Sequence, residues 1–302
     1  MGASWLRGVF PPIATAFDQR GALSPPPAGF LESLQQGGLD GVVALGSNGE
    51  AAHLTEAERL TWIGLVRDAL PDGLRLIVGS GAESTLATIE RTRAAAAAGA
   101  QAALLIAPSY YRGQLTAPAL RAHFHAVADA SPIPVLIYNV PTHMGYDLGE
   151  EWIAHIAGHP NIMGVKDSSG DLARLPRLRQ ALGRDFIILA GAGEQMLEAL
   201  IAGADGAIAA LANLAPAASA AIRHAWLEGN LEEARAQQRS IVELGQALTR
   251  GYGVPGLKAA LQMLGYDHGP PRPPLPPLPA AELPTLRRLL QDARLIPRVL
   301  AS

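Results

Sequence analysis

The chain has 302 residues, of which 49% are hydrophobic and 17% charged, and its formal net charge is −3. So much apolar material excludes a disordered chain, and the mild negative balance gives no electrostatic basis for a nucleic-acid partner or an anionic membrane surface. Cysteine is absent, which excludes disulfides, thiolate catalysis and Cys-ligated zinc, and fits a cytoplasmic protein.

The opening residues, Met1 to Arg7, carry no secretory apolar stretch, and Leu6 stands where a myristoylation signal needs Ser or Thr. Short apolar runs follow at residues 9–17, 41–45, 74–79, 102–107, 134–139, 162–166, 186–190 and 206–211. Most are continuous rather than alternating, the pattern of parallel strands covered on both faces. Helical segments are predicted between them: 54–70, with Thr55 capping and Glu58 three residues on, then 84–98, 116–130 and 171–182. The alanine run Ala94 to Ala98 falls inside the second of these and is too short to span a bilayer.

Eight strand–helix units in a chain of this length predict an α/β fold, a (β/α)8 TIM barrel, rather than an open doubly wound sheet. The nearest approach to a nucleotide-binding glycine turn, Gly191-Ala192-Gly193-Glu194-Gln195-Met196, lacks its last glycine. Residues 1–214 are read as the barrel core. Residues 215–302 supply its last helix and a C-terminal helical extension, with helices predicted at 215–227, 231–248, 256–264 and 280–293. The proline-rich stretch from Pro270 to Pro279 reads as a rigid connector packed on the surface.

The basic residues single out one position. Of 24, 22 are arginine; the exceptions are Lys166 and Lys258. A guanidinium stays protonated and cannot attack a carbonyl, so a lysine that survives such a drift is a candidate for amine chemistry. Lys166 closes the apolar stretch Ile162-Met163-Gly164-Val165, where desolvation disfavours an ammonium. Lys258 reads as a residue the drift merely spared.

Catalytic groups of a barrel project from the C-terminal ends of its strands. Three predicted strands lead into such groups: Gly46-Ser47-Asn48-Gly49-Glu50, Tyr138-Asn139-Val140-Pro141, and Lys166-Asp167-Ser168-Ser169-Gly170. Each alone is an ordinary turn, packing or capping pattern. Together at one rim they suggest a coherent chemistry. A neutral Lys166 adds to a ketone, and the protonated imine acts as an electron sink for carbon–carbon bond cleavage or formation. A tyrosine hydroxyl can shuttle the proton, and the amides, hydroxyl and carboxamide of the Ser47–Gly49 loop suit a substrate carboxylate.

On these stretches, with Pro108-Ser109-Tyr110-Tyr111-Arg112-Gly113 and Gly253-Val254-Pro255-Gly256-Leu257-Lys258, the chain resembles the pyruvate-dependent class I aldolase family of dihydrodipicolinate synthase and N-acetylneuraminate lyase. The likeness runs over essentially the full length and is greatest to the 4-hydroxy-2-oxoglutarate aldolase branch. It implies that Lys166 forms the imine and that Tyr138 is the acid/base, linked through Ser47 to Tyr110 in a hydroxyl relay. It further implies that Asn48 with its loop amides, Gly49 included, holds the carboxylate, and that Ser168 contacts the substrate beyond the imine. No cofactor and no metal are implied. The partners implied are a 2-oxo acid such as pyruvate and further copies of the chain, in a homotetramer built as a dimer of dimers. One tyrosine of the Tyr110-Tyr111 pair would lie near a neighbouring site.

One position departs from the family pattern. Dihydrodipicolinate synthases carry an arginine two residues after the proline of their Tyr-Asn-x-Pro motif, to grip a second carboxylate. Here that residue is His143, which can bind a distal group or line the loop. An imidazole replaces a bidentate guanidinium poorly. The expected reaction is therefore cleavage of 4-hydroxy-2-oxoglutarate to pyruvate and glyoxylate, with condensation of pyruvate and aspartate semialdehyde as the alternative and a sugar-acid aldolase third. A non-catalytic 2-oxo acid sensor would not need lysine, tyrosine and serine together. A metal-dependent aldolase would rest on His155 and His159, spaced to share a helix face at the barrel's opposite end.

Overall fold

The computed structural model describes residues 3–297. Eight parallel strands form one sheet: β1 (Val9–Phe10), β2 (Gly41–Ala44), β3 (Arg75–Gly79), β4 (Ala102–Ile106), β5 (Val135–Asn139), β6 (Ile162–Asp167), β7 (Ile187–Ala190) and β8 (Gly206–Ile208). Their order is β1-β8-β7-β6-β5-β4-β3-β2, and a parallel bridge between Pro12 and Val43 brings the first strand back to the second. The result is the expected TIM barrel. Nearly every strand residue is buried, as the continuous apolar runs require of strands covered on both faces.

A helix follows each strand: α1 (Phe30–Gln36), α2 (Glu56–Ala69), α3 (Thr85–Ala97), α4 (Ala117–Ala130), α5 (Gly149–Ile156), α6 (Arg174–Leu182), α7 (Met196–Ile201) and α8 (Pro216–Leu227). The C-terminal extension holds α9 (Leu231–Ala247), α10 (Gly253–Met263) and α11 (Leu283–Asp292), with a π-helical turn at Leu248–Tyr252 between the first two.

Local chemistry explains where these boundaries fall. The capping box of α2 forms as the sequence predicts, with the Thr55 side chain accepting from the Glu58 amide and the Glu58 carboxylate accepting from the Thr55 amide. Ser84 and Thr116 cap α3 and α4 in the same manner, each through a hydroxyl that accepts from a first-turn amide. The first strand is shorter than its apolar run. Pro11 and Pro12 have no N–H to give the ladder, and contact with β2 continues only through Val43 N–H to Pro11 O and Ile13 N–H to Val43 O, both 2.9 Å. Helix α6 begins three residues later than expected because Gly170 turns in the left-handed region and the Asp171 carboxylate caps the Ala173 amide.

Candidate active site

Strands β5 and β6 set the central pair. Tyr138 and Lys166 are register partners on these neighbouring strands, one step before Asn139 and Asp167. The Lys166 residue is 5% exposed and Tyr138 6%, and the Lys166 Nζ lies 4.0 Å from the centroid of the tyrosine ring. The Tyr138 and Ser47 hydroxyls are 3.5 Å apart, at the limit of hydrogen bonding. Burial pushes the Tyr138 phenol up, but the Lys166 charge and contacts with Ser47, Lys166 and Ser168 outweigh it, leaving its pKa below the ordinary tyrosine value.

Outside the barrel the strand ends are braced by a buried polar network. Asn139 Nδ2 donates to Asp147 (2.8 Å) and to Asp167 (2.7 Å), and the Arg174 guanidinium bonds both carboxylates. The hydroxyl of Ser169 donates to the other Asp167 oxygen at 2.6 Å. Charge-assisted bonds of this kind fix the backbone that carries the two catalytic candidates. The sequence reading did not find Arg174 or Asp147, because their relation to residue 167 exists only across three segments of chain.

The β2 rim forms a 3-10 turn at Ser47–Gly49. Gly49 N–H donates to Gly46 and Glu50 N–H to Ser47, which leaves the amides of Ser47 and Asn48 outside the turn's own bonds. The Gly49 amide is thus committed to the turn, and its carbonyl accepts from the Thr15 hydroxyl at 2.6 Å. Leu45 and Glu50 flank the turn with φ of 57° and 52°, two of three non-glycine residues in the left-handed region among the described residues. Such backbone persists only where surrounding contacts over-determine it. One contact is close: a Cβ at Gly79 would meet the Leu45 carbonyl oxygen at 2.0 Å.

A cavity of about 850 Å³ opens at this rim. Ser47, Tyr138 and His143 line it, together with Glu50, Arg59, Glu83, Arg91 and Ser109. Asn48, Lys166 and Ser168 are not among its lining residues. Ser168 is half-buried and faces Gly191, where an added Cβ would meet its Oγ at 1.9 Å. His143 occupies a helical turn at Pro141–Met144. Its residue is largely exposed, yet desolvation of the ring at the cavity rim and the nearby Lys166 charge hold its pKa below the ordinary histidine value.

Other expected residues lie elsewhere. Tyr110 is 76% exposed and packs edge-on against Tyr111, with ring centroids 5.0 Å apart; within one chain it makes no hydrogen bond with Ser47. The loop carrying it is pinned by Glu83, whose carboxylate accepts from the amides of Ser109 and Tyr110 at 2.9 Å each. His155 and His159 do not share a helix face, because α5 ends at Ile156. Both His159 ring nitrogens are engaged, one with Asp129 and one with the Asn161 amide. The Gly191–Met196 segment is a 3-10 turn leading into α7, with no phosphate-binding glycine loop.

The surprise is Lys258. It is not an idle survivor of arginine drift: its residue is 3% exposed, and its Nζ lies 2.7 Å from a Glu50 carboxylate oxygen.

Comparison with known proteins gives a consistent placement. The model of the dihydrodipicolinate synthetase family matches residues 5–293. Over 246 residues the chain is 40% identical to the probable mitochondrial 4-hydroxy-2-oxoglutarate aldolase of Emericella nidulans, covering 80% of this chain and 79% of that one. It is 34% identical to a 4-hydroxy-tetrahydrodipicolinate synthase of Exiguobacterium, covering 88% and 90%. Its fold superposes with a TM-score of 0.88 on the chloride-inhibited dihydrodipicolinate synthase of Acinetobacter baumannii complexed with pyruvate, at 33% identity over 96% of this chain and 99% of that one. An eight-stranded barrel with its lysine–tyrosine rim and a family match over almost the whole described length lead to one placement: the chain belongs to the dihydrodipicolinate synthetase family and is an aldolase-type lyase.

Proposed function

We propose that the chain is a class I aldolase that joins Lys166 to the ketone of a 2-oxo acid and cleaves 4-hydroxy-2-oxoglutarate to pyruvate and glyoxylate. The observation that carries this reading is the register pairing of Lys166 with Tyr138, with Lys166 Nζ 4.0 Å from the centroid of the tyrosine ring. The neutral amine adds to C2, and the Tyr138 hydroxyl gives the proton with which water leaves, so that a protonated imine and a phenolate result. Tyr138, with its lowered pKa, takes the proton of the C4 hydroxyl as the C3–C4 bond breaks. Glyoxylate departs, the electron pair remains as an enamine, C3 is reprotonated, and water hydrolyses the imine to release pyruvate. The free amides of Ser47 and Asn48 suit the C1 carboxylate, and Ser168 suits the atoms beyond the imine.

The choice of substrate rests on His143. With its pKa held down, the imidazole is uncharged at neutral pH and cannot give a distal carboxylate two charge-assisted bonds. Condensation of pyruvate with aspartate semialdehyde, the alternative reaction, needs such a grip on the second carboxylate.

Two measurements test the reading. Pyruvate with borohydride should leave one reduced adduct, mapped to Lys166, and Lys166→Arg should abolish both adduct and turnover. An adduct on Lys258 alone, or activity in the arginine variant, sinks the mechanism. In a panel of substrates, kcat/KM for 4-hydroxy-2-oxoglutarate cleavage should exceed that for semialdehyde condensation, and His143→Arg should narrow the gap. A preference of the unmodified protein for the semialdehyde would overturn the substrate while leaving the imine intact.

A further inference from the structure

The two lysines retained by an arginine-rich chain each neighbour a residue that touches or closes one turn: Lys166 lies beside Tyr138 and Lys258 beside Glu50. Lys166 belongs to the catalytic pair; Lys258 comes from α10 of the C-terminal extension, a helix that packs against Ser47–Gly49. Its side chain is 2% exposed, and its ammonium meets two oxygens and a ring face. Glu50 Oε1 lies at 2.7 Å, the Pro270 carbonyl accepts at 3.0 Å, and the Phe17 ring sits beneath with its centroid at 4.4 Å.

Glu50 is equally constrained. Its side chain is fully buried, and its second carboxylate oxygen accepts from the Arg272 amide at 2.7 Å. Its backbone closes the turn: its N–H donates to Ser47 O, and its φ of 52° is unfavourable for a residue with a Cβ. A carboxylate held this tightly keeps the backbone in that conformation, and the same conformation sets where the Ser47 and Asn48 amides point.

The site also explains why the position is lysine. A compact ammonium fits between the Glu50 carboxylate, the Pro270 carbonyl and a ring face, whereas a planar guanidinium is wider and rigid in its fork. In a fully packed pocket that extra width has nowhere to go.

We propose that Lys258 is a positioning residue for substrate binding: by fixing Glu50 it holds the Ser47–Gly49 turn in the shape that receives the 2-oxo acid carboxylate. The inference rests on the reading of that turn given under the proposed function. The C-terminal extension thereby shapes the binding turn that the barrel supplies, and it lines the cavity itself through Gly253, Val254, Pro255 and Leu275.

The test is the pyruvate concentration that half-saturates borohydride trapping at Lys166, with kcat and thermal midpoint measured alongside. Lys258→Met and Lys258→Arg should each raise it by about tenfold or more, the range for a lost buried coupling, while the saturating adduct still maps to Lys166. KM should rise more than kcat falls, the signature of lost ground-state positioning. Glu50→Gln keeps shape and hydrogen-bonding atoms and should show a smaller shift in the same direction, so it reports if Lys258→Met fails to fold. Combining Lys258→Met with Glu50→Gln should cost less than the product of the single effects. Wild-type half-saturation in the folded variants, with only the thermal midpoint lowered, overturns the inference and leaves Lys258 a structural strut. Absence of any adduct in the unmodified protein overturns the reading of the site itself, and this inference with it.

Discussion

At the scale of single residues, the proposed chemistry depends on one phenol. Tyr138 is buried, yet its pKa is lowered because the Lys166 charge and neighbouring hydroxyls outweigh desolvation. Tyr138→Phe keeps the ring against Lys166 and removes only the group that moves the proton. Turnover should fall by ~10²–10⁴-fold, while borohydride trapping of pyruvate at Lys166 persists. Single-turnover kinetics beside trapping will separate the two, and wild-type turnover would assign the proton to another group. Rarity in composition made Lys166 legible. The same signal marks Lys258, but composition cannot say what lies beside a residue. Its partner Glu50 stands 208 positions earlier, and only the packing of α10 on the β2 rim brings them together.

At the scale of elements, long strands and well-capped helices announced themselves, and short ones did not. Helices α1, α5 and α7 span 7, 8 and 6 residues, too few turns for a periodic signal to stand out, and they exist because the barrel wall covers them. Two histidines are also settled by element packing. His123 on α4 bonds Thr85, and His268 packs edge-on against Phe30 on α1; burial pushes both down from 6.5 to about 4. Both folded-state values lie below the unfolded one, so stability is fully present above pH 6.5 and is lost as pH falls toward 4. At pH 5 each should cost about 2 kcal/mol relative to pH 7. Glu58, held down to about 2 chiefly by Arg272, loses its contribution only below the ordinary carboxylate range and does not obscure this window. Urea midpoints at pH 7 and pH 5 should therefore differ, and His268→Gln should flatten the difference. Equal midpoints in the unmodified protein would mean that these rings take up protons without penalty.

For the whole molecule, large apolar side chains are exposed near the site. Tyr110 and Tyr111 are 76% and 66% exposed, and Leu86 on α3 is 67% exposed. We propose that this face meets a second copy and that two such dimers form a tetramer, the arrangement in which Tyr110 could join the Ser47 hydroxyl. Light scattering across a dilution series should give an oligomer mass at assay concentrations, and a fully active monomer would refute the assembly. Among the described residues no helix is long and apolar enough to cross a membrane. The sequence by itself pointed to the barrel, since eight mostly continuous apolar runs with helical segments between them make eight strand–helix units in a chain of this length. It also singled out Lys166 as the candidate for the proposed imine, through a composition that left almost no other amine. Tertiary structure decided the rest. The Asn139–Asp167–Arg174–Asp147 brace, the left-handed Glu50 and the Lys258 that fixes it are contacts between distant segments. Electrostatics and packing act over ångströms in space, and sequence distance carries no record of them.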